Sequence, residues 1–270
     1  MTSGELAATV AAHPAWYHTL ELAPGVVTPG WFDHRSIVDG LPWPDVRGKR
    51  CLDVGTFDGF YAFEMERRGA AEVVAVDVAD HEQWDWPPDV RAVGQHWMDN
   101  WKGVDFGGGF RLAKEALGSN VERVEISVYD LNPERLGEFD VVVSGTLLLH
   151  LRDPIAAVEA IRSVCRSWYL TADQINLRLS VTARKMEVAR LIGWGPAVQW
   201  WEPNCAGHRQ LLFAGGFEVE RTVGPYCLPF GVSHPPRGRQ WRVLATSAFR
   251  RLMAGGNGVP HQAVLARPRF

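Results

Sequence analysis

Residues 50–77 constrain this chain more than any other stretch. A short apolar run, Arg50-Cys51-Leu52-Asp53-Val54, leads into a turn bracketed by Gly55 and Gly59, and then into a segment whose apolar residues Phe60, Phe63 and Met65 alternate with Glu64, Glu66, Arg67 and Arg68. Gly69 can close that segment, and Glu72 to Asp77 forms a second apolar run ending in an acid. The spacing predicts a strand over 50–54, a helix over 59–69 and a strand over 72–77. A strand apolar on both faces, followed by a helix and another such strand, is the start of a parallel sheet covered on both sides.

The rest of the chain continues this alternation. Helix 109–117 stops at Gly118, and strands are predicted over 121–128 and 139–144. Helix 154–164 begins with Asp153 as its cap and Pro154 in its first turn, and a fifth strand covers 168–172. Beyond that the pattern loosens: a helix over 181–192, a short helix over 209–214, a sixth strand over 217–223, a helix over 243–253 and a seventh strand over 262–267. The N-terminal 49 residues mix a short Ala-rich helix ending near Pro14 with aromatics, prolines and glycines, and one short helix is expected around 32–39. The fold class expected is α/β, a doubly wound and mostly parallel seven-stranded sheet. No Gly/Ser-rich linker divides the chain, so one domain over 1–270 is expected, with an aromatic cover at 1–49, a core at 50–172 and insertions at 173–208 and 224–259.

Composition enters as a filter. The net charge of −3 does not advertise a nucleic-acid partner, yet the stretch from Arg221 to Phe270 carries eight Arg and no Asp or Glu. Arg237, Arg239, Arg242, Arg250 and Arg251 fall in the second insertion, and a solvated helix face is the favoured reading of them. The four cysteines, Cys51, Cys165, Cys205 and Cys227, show no metal-ligand spacing, and Cys51 and Cys165 fall in expected core elements. Buried free thiols in a reducing compartment are expected, with no metal. No Arg or Lys precedes Arg35 and no long apolar run exists, so neither a signal peptide nor a membrane span is expected, and the location expected is cytoplasmic.

The carboxyl edge of such a sheet is where ligands bind. Asp53, Gly55, Thr56, Phe57 and Gly59 end the first strand and start the first helix. Asp77 and Val78 end the second strand, Asp130 and Leu131 follow the third, and Ser144 and Gly145 end the fourth. An acid at Asp77 suits ribose hydroxyls, and one at Asp130 suits an adenine amino group. The turn is not G-x-G-x-x-G, and Phe57 stands where a dinucleotide site often has glycine, so a nucleoside with a short cationic tail is the better fit.

The pattern Asp53-x-Gly55-x-x-x-Gly59, Asp77, Asp130 and 139–144 resembles class I S-adenosylmethionine-dependent methyltransferases over roughly residues 48–172. The resemblance implies S-adenosylmethionine as cofactor and S-adenosylhomocysteine as product. More narrowly, the stretches 16–22, 25–30, 43–49, 55–70 and 148–154 are similar to the tRNA wobble-uridine (5-oxyacetate-type) methyltransferases. Members of that branch that transfer a carboxymethyl group need a lysine upstream of the glycine turn, and this chain has no Lys before Lys49. Ordinary S-adenosylmethionine is therefore expected.

Methyl transfer is an in-line displacement in which the enzyme supplies alignment, and a hydroxyl nucleophile also needs a base. His150, just past the fourth strand, leads as catalytic candidate, and His18 follows. Trp16, Tyr17, Trp31, Trp200 and Trp201 are expected to wall a substrate pocket, with Glu202 and His208 as polar contacts. The function expected is methyl transfer to an O or N atom of a small-molecule, secondary-metabolite acceptor. A tRNA methyltransferase and a non-catalytic S-adenosylmethionine-binding protein are the alternatives, with nucleic acid the less favoured partner.

Overall fold

A computed structural model describes residues 1–99, 104–195, 197–234 and 241–270, without the side chains of residues 95, 97 and 241–245. Seven strands form the central sheet: β1 (Arg50–Val54), β2 (Glu72–Asp77), β3 (Glu122–Glu125), β4 (Phe139–Gly145), β5 (Cys165–Gln174), β6 (Phe217–Leu228) and β7 (Val259–Pro268). Their order is β6-β7-β5-β4-β1-β2-β3. β1 to β5 run parallel, and β7 lies antiparallel between β5 and β6. The chain leaves β1 toward β2 on one side and returns to β4 on the other, so the switch point of the sheet lies between β1 and β4.

Alternate residues of the strands feed two cores. Cys51, Val141, Val143, Leu170 and Leu265 face a cluster that includes helices α2 (Phe60–Arg67) and α3 (Gly108–Leu117). Leu52, Val54, Val142, Tyr169 and Val264 face the other, with Ile161 of α4 (Pro154–Val164) and Leu212 of α5 (Cys205–Ala214). Burying each such side chain contributes about 1.5–3 kcal/mol, which makes the central strands the most firmly held part of the fold. α4 keeps the bounds expected for it, because Asp153 accepts the Ala156 amide at 3.0 Å and Pro154 fills the first turn.

The N-terminal segment is part of the core as well as a cover. Leu6, Val10, Trp16, Leu20, Leu22 and Val26 belong to the same cluster as α2. Its first helix, Ser3–Ala12, is closed by a reciprocal pair between Thr2 and Glu5. The helix expected over 32–39 is only a single 3-10 turn, Val38–Gly40. Phe32 is instead held extended by bridges to His18 and Phe230.

Three further expectations are corrected. The third strand stops at Glu125 rather than residue 128, because Ser127 accepts the Tyr129 amide and starts a 3-10 turn, Val128–Asp130. The helix expected over 181–192 is a shorter helix, Leu177–Thr182, followed by a hairpin of Ala189–Leu191 with Trp201–Pro203. Buried Asn204 imposes this: its Nδ2 donates to the carbonyls of Ala183 at 2.9 Å and Met186 at 2.8 Å, and its Oδ1 accepts the Val188 amide at 3.3 Å. β6 runs five residues past the expected end at 223, so the second insertion starts after Leu228. That insertion carries a helix, Trp241–Ala254.

Among the described residues, three of the eight arginines in the C-terminal fifth are engaged by polar groups of the fold itself. Arg221 donates to the carbonyls of Pro42 and Trp43, Arg250 donates to the Gly258 carbonyl, and Arg267 pairs with Glu218 and Glu220. Arg237, Arg239 and Trp101 lie outside the described residues, as does the side chain of Arg242. All four cysteines are free thiols, and Cys51, Cys165 and Cys227 are buried. Among the described residues no helix is long and apolar enough to cross a membrane.

Candidate active site

The turn after β1 is stitched to β2. The amides of Gly55 and Thr56 both donate to the Val76 carbonyl, at 2.9 and 3.1 Å. Beneath the turn, Asp53 Oδ2 accepts the Thr56 hydroxyl at 2.7 Å and the Ala62 amide at 3.1 Å, joining strand, turn and first helical residues. Burial pushes the Asp53 carboxyl up to about 6. Above the turn, Asp77 Oδ2 accepts the Phe57 amide at 2.7 Å and Oδ1 accepts the Val78 amide at 2.8 Å. Burial raises the Asp77 carboxyl too, against the pull of those two amides.

Gly59 closes the turn in the left-handed region, φ +96°, as the cap of α2. A Cβ there would sit 2.4 Å from Phe63 and 2.9 Å from Phe110. Gly59→Ala is expected to cost about 1–3 kcal/mol of stability, from the backbone and overpacking terms together, read as a lowered denaturation midpoint. An unchanged midpoint would show that the turn relaxes freely.

The opposite wall comes from the end of β4. Gly145 packs against the Tyr61 ring so closely that a Cβ would lie 2.1 Å from Cε2. Thr146 Oγ1 meets His261 Nε2 at 3.1 Å. His261 Nδ1 faces the Val259 carbonyl at 2.8 Å, which can only accept, so Nε2 receives the threonine proton. Tyr17 also hydrogen-bonds with Thr146 through its side chain.

Between these walls lies a cavity of about 450 Å³. Its floor is Gly55, Phe57, Asp77 and Val78, and one side is an apolar and aromatic slot of Trp84, Ile126, Val128 and Tyr129. The other side holds Tyr17, His18, Trp31, Gly145, Thr146 and His150, with Ala197 and Val198 from the first insertion. Three non-glycine residues of the described chain have positive φ: Phe57 at +47°, Thr146 at +55° and Val198 at +48°. All three line this cavity. Backbone strain of this kind costs about 1–3 kcal/mol per residue and collects at functional sites. His150 Nδ1 donates to the Val198 carbonyl at 2.7 Å, which leaves Nε2 with the lone pair, and burial lowers its basicity.

The structure therefore gathers Gly55, Phe57, Asp77, Val78, Gly145, Tyr17, Trp31, His18 and His150 at one cavity. Asp53, Thr56 and Gly59 shape the turn from behind without lining it. Other expected contacts lie elsewhere. Asp130 is exposed at the end of its 3-10 turn and Leu131 is buried in the sheet core, because β3 ends early and turns them away. Ser144 is buried, bonded to the Tyr169 hydroxyl at 2.8 Å. Trp16 packs in the core with its indole N–H on the Val10 carbonyl. Trp200 and Trp201 likewise pin loops, donating to the carbonyls of Asp85 and Arg152. Glu202 holds Gln174 and Asn176 at 3.1 and 2.7 Å, and His208 is buried on α5. Gln83, Trp84, Asp85, Tyr129, Thr146 and Val198 line the cavity without having been singled out. Of these, Trp84 belongs to a stretch, 84–101, in which tryptophans recur, and the others carry no local signal.

The cavity has the size of a small-molecule site, and its parts fit an adenosine-bearing ligand. The Asp77 carboxylate suits ribose hydroxyls, and the slot beside Trp84 and Tyr129 suits a base. Comparison with known proteins agrees in architecture. The N-terminal domain of EvdMO1, solved in the presence of S-adenosylhomocysteine and D-fucose, superposes with a TM-score of 0.56 at 16% identity, covering 100% of this chain and 98% of that one. An S-adenosylmethionine-dependent methyltransferase from Mesorhizobium loti gives 0.50 at 14% identity over 83% of this chain and 93% of that one. The fold is that of the class I S-adenosylmethionine-dependent methyltransferases.

Sequence similarity is more limited. The ubiquinone biosynthesis O-methyltransferase of Acinetobacter baumannii (strain AYE) is 30% identical over 137 residues, 50% of this chain and 44% of that protein. The enzyme of the same name from Xanthomonas oryzae pv. oryzae (strain PXO99A) is 33% identical over 116 residues, 43% of this chain and 38% of that protein. The chain thus spans less than half the length of these relatives. No family model matches.

Proposed function

We propose that this chain transfers a methyl group from S-adenosylmethionine to an oxygen or nitrogen of a small, largely apolar acceptor. One observation carries the reading: a single strained cavity at the carboxyl edge joins the glycine turn and Asp77 to an aromatic chamber that has no Arg or Lys among its described lining residues. Gly55, Phe57, Asp77 and Val78 would hold the cofactor, which supplies an activated methyl group on a sulfonium. Tyr17, Trp31, Thr146 and Val198 would align the acceptor and exclude water. The similarity to O-methyltransferases and the sugar present beside EvdMO1 support a small acceptor and favour oxygen over nitrogen.

Titration calorimetry with S-adenosylmethionine and S-adenosylhomocysteine tests the cofactor, and absence of binding to either would remove the proposal. Binding without turnover on any acceptor would leave the non-catalytic alternative. The tRNA alternative, a modified wobble uridine as acceptor, predicts affinity for bulk tRNA that falls steeply with salt. The described cavity lining offers phosphate no cation, which favours the small acceptor over this alternative.

His150→Gln removes the donor that holds the strained Val198 carbonyl. We expect KM for the acceptor to rise about tenfold with kcat little changed, the loss of one hydrogen bond of about 1.4 kcal/mol. A fall in kcat with unchanged KM would instead place His150 in the chemical step.

A further inference from the structure

We infer that His18 takes the proton of a hydroxyl acceptor during methyl transfer, and that Asp58 holds it for that task as a positioning residue. The inference rests on the methyltransferase reading and specifies its acceptor: a neutral hydroxyl on an apolar or aromatic body.

Asp58 sits inside the glycine turn and is 1% exposed. Its Oδ2 accepts the amides of Tyr17 at 2.8 Å and His18 at 3.0 Å, and its Oδ1 meets His18 Nδ1. One carboxylate in the cofactor turn thus grips a dipeptide 40 residues earlier in the chain and fixes it in the cavity wall. With Oδ1 as acceptor, Nδ1 carries the ring proton and Nε2 holds the lone pair. That Nε2 is buried and has no hydrogen-bond partner. An orphaned buried acceptor costs about 1–3 kcal/mol, which calls for a partner that the chain itself does not supply. His18 lines the cavity, and an acceptor hydroxyl brought against its ring would be such a partner.

Two comparisons within the site favour His18 over His150 as base. The Nδ1 partner of His150 is a backbone carbonyl, whereas that of His18 is a carboxylate, which stabilises an imidazolium far better. The described lining has no Lys or Arg, so the wall itself offers no cation to hold the acceptor as a pre-formed phenolate or alkoxide. The acceptor therefore arrives protonated and must lose its proton in place. The charged and titratable groups around His18 are Asp58, Asp53, His34 with its ring centroid 4.8 Å away, and the phenols of Tyr17 and Tyr61 with ring centroids at 4.9 and 6.4 Å. Burial keeps His34 neutral, so it does not compete for the proton.

In the step, the acceptor oxygen forms a bond to the methyl carbon as the carbon–sulfur bond breaks. The bonding pair stays on sulfur, turning the sulfonium into a neutral thioether, and the hydroxyl proton passes to His18 Nε2. Asp58 balances the imidazolium until solvent takes the proton.

The test uses the full chain with alkyl-substituted phenol, catechol and hydroquinone as probes, and three readouts. Wild type should methylate at least one probe. His18→Gln should lower kcat by about 10²–10⁴ with unchanged affinity for S-adenosylhomocysteine. Asp58→Asn keeps an oxygen for the two amides but presents an NH₂ to Nδ1, which forces the opposite tautomer, so kcat should fall comparably in a chain that remains folded. Nitrogen-15 NMR, independent of turnover, should show His18 protonated at Nδ1 in wild type and at Nε2 in Asp58→Asn. A wild-type rate in His18→Gln, or Nε2 protonation in the wild type, overturns the inference. If the cofactor binds but no hydroxyl probe is methylated, the acceptor class and the base assignment both fail. If the cofactor does not bind, the underlying methyltransferase reading fails first.

Discussion

Asp77→Ala should weaken S-adenosylmethionine binding by about 10–100-fold, the loss of one or two hydrogen bonds to a charged group at about 1.5–3 kcal/mol each. The carboxylate has two tasks. It borders the cavity where a ribose would lie, and it anchors the turn by accepting the amides of Phe57 at 2.7 Å and Val78 at 2.8 Å. Alanine removes both and leaves the Phe57 amide without its acceptor in a residue already at φ +47°. Asp77→Asn separates the tasks: it keeps one oxygen for the turn and should lose less affinity than alanine. Calorimetric titration of the two variants, each shown folded by circular dichroism, checks the order. Equal affinity in Asp77→Ala and wild type would remove Asp77 from the cofactor site.

This prediction was legible from sequence because its cause is local. An apolar run with an acid at its end places Asp77 at the carboxyl edge of β2, whatever the rest of the chain does. The same holds for the Gly55–Gly59 turn, for Gly145 and for α4, whose Asp153 and Pro154 carry their own start signal. The failures share a different cause. Asp130 was placed by extending β3 along the interspersed apolar residues of 121–128, but the ladder to β2 ends at Glu125 and Ser127 turns the chain. Residues 181–192 have the composition of a helix, and Asn204, far along the chain, bends them into a hairpin. The tryptophans expected at the substrate include three whose indole N–H groups end on backbone carbonyls, those of Trp16, Trp200 and Trp201. A ring that can wall a pocket and a ring that pins a loop look alike in sequence. Asp58 shows the limit most plainly. It stands inside the motif that organised the sequence reading, and only its partner 40 residues away gives it a role.

Acidification between pH 7 and pH 4.5 should destabilise the fold, and the source should be buried histidines rather than the carboxylates of the site. His208 and His261 are pushed down to about 4 by burial, and His34 lies well below its ordinary value for the same reason. In the unfolded chain each binds its proton near pH 6.5. Between 6.5 and 4 the folded state binds fewer protons, so these groups contribute stability that is present above 6.5 and lost as pH falls. Each of His208 and His261 contributes on the order of 3 kcal/mol by this route. Asp53 and Asp173 act in the opposite direction. Burial raises both to about 6, so the folded state binds more protons between about 4 and 6, and their contribution is present at low pH and lost as pH rises through 6. Three strongly depressed histidines, with His150 lowered as well, outweigh the raised carboxyls of Asp53, Asp173 and Asp77, and the net loss on acidification should be a few kcal/mol, or several degrees in Tm. Paired variants give opposite signs. His208→Leu should flatten the fall in Tm between pH 7 and 4.5, since it deletes a group that must charge on unfolding. Asp53→Asn should steepen it, since it deletes a compensating proton uptake. Only as pH falls through about 4 does the folded state take a proton on His261 Nε2, which leaves it unable to accept from Thr146 Oγ1 and frees the wall that Tyr17 leans on. A Tm that is flat across this range in wild type, or that responds alike to both variants, would show that the buried histidines are not the acid trigger.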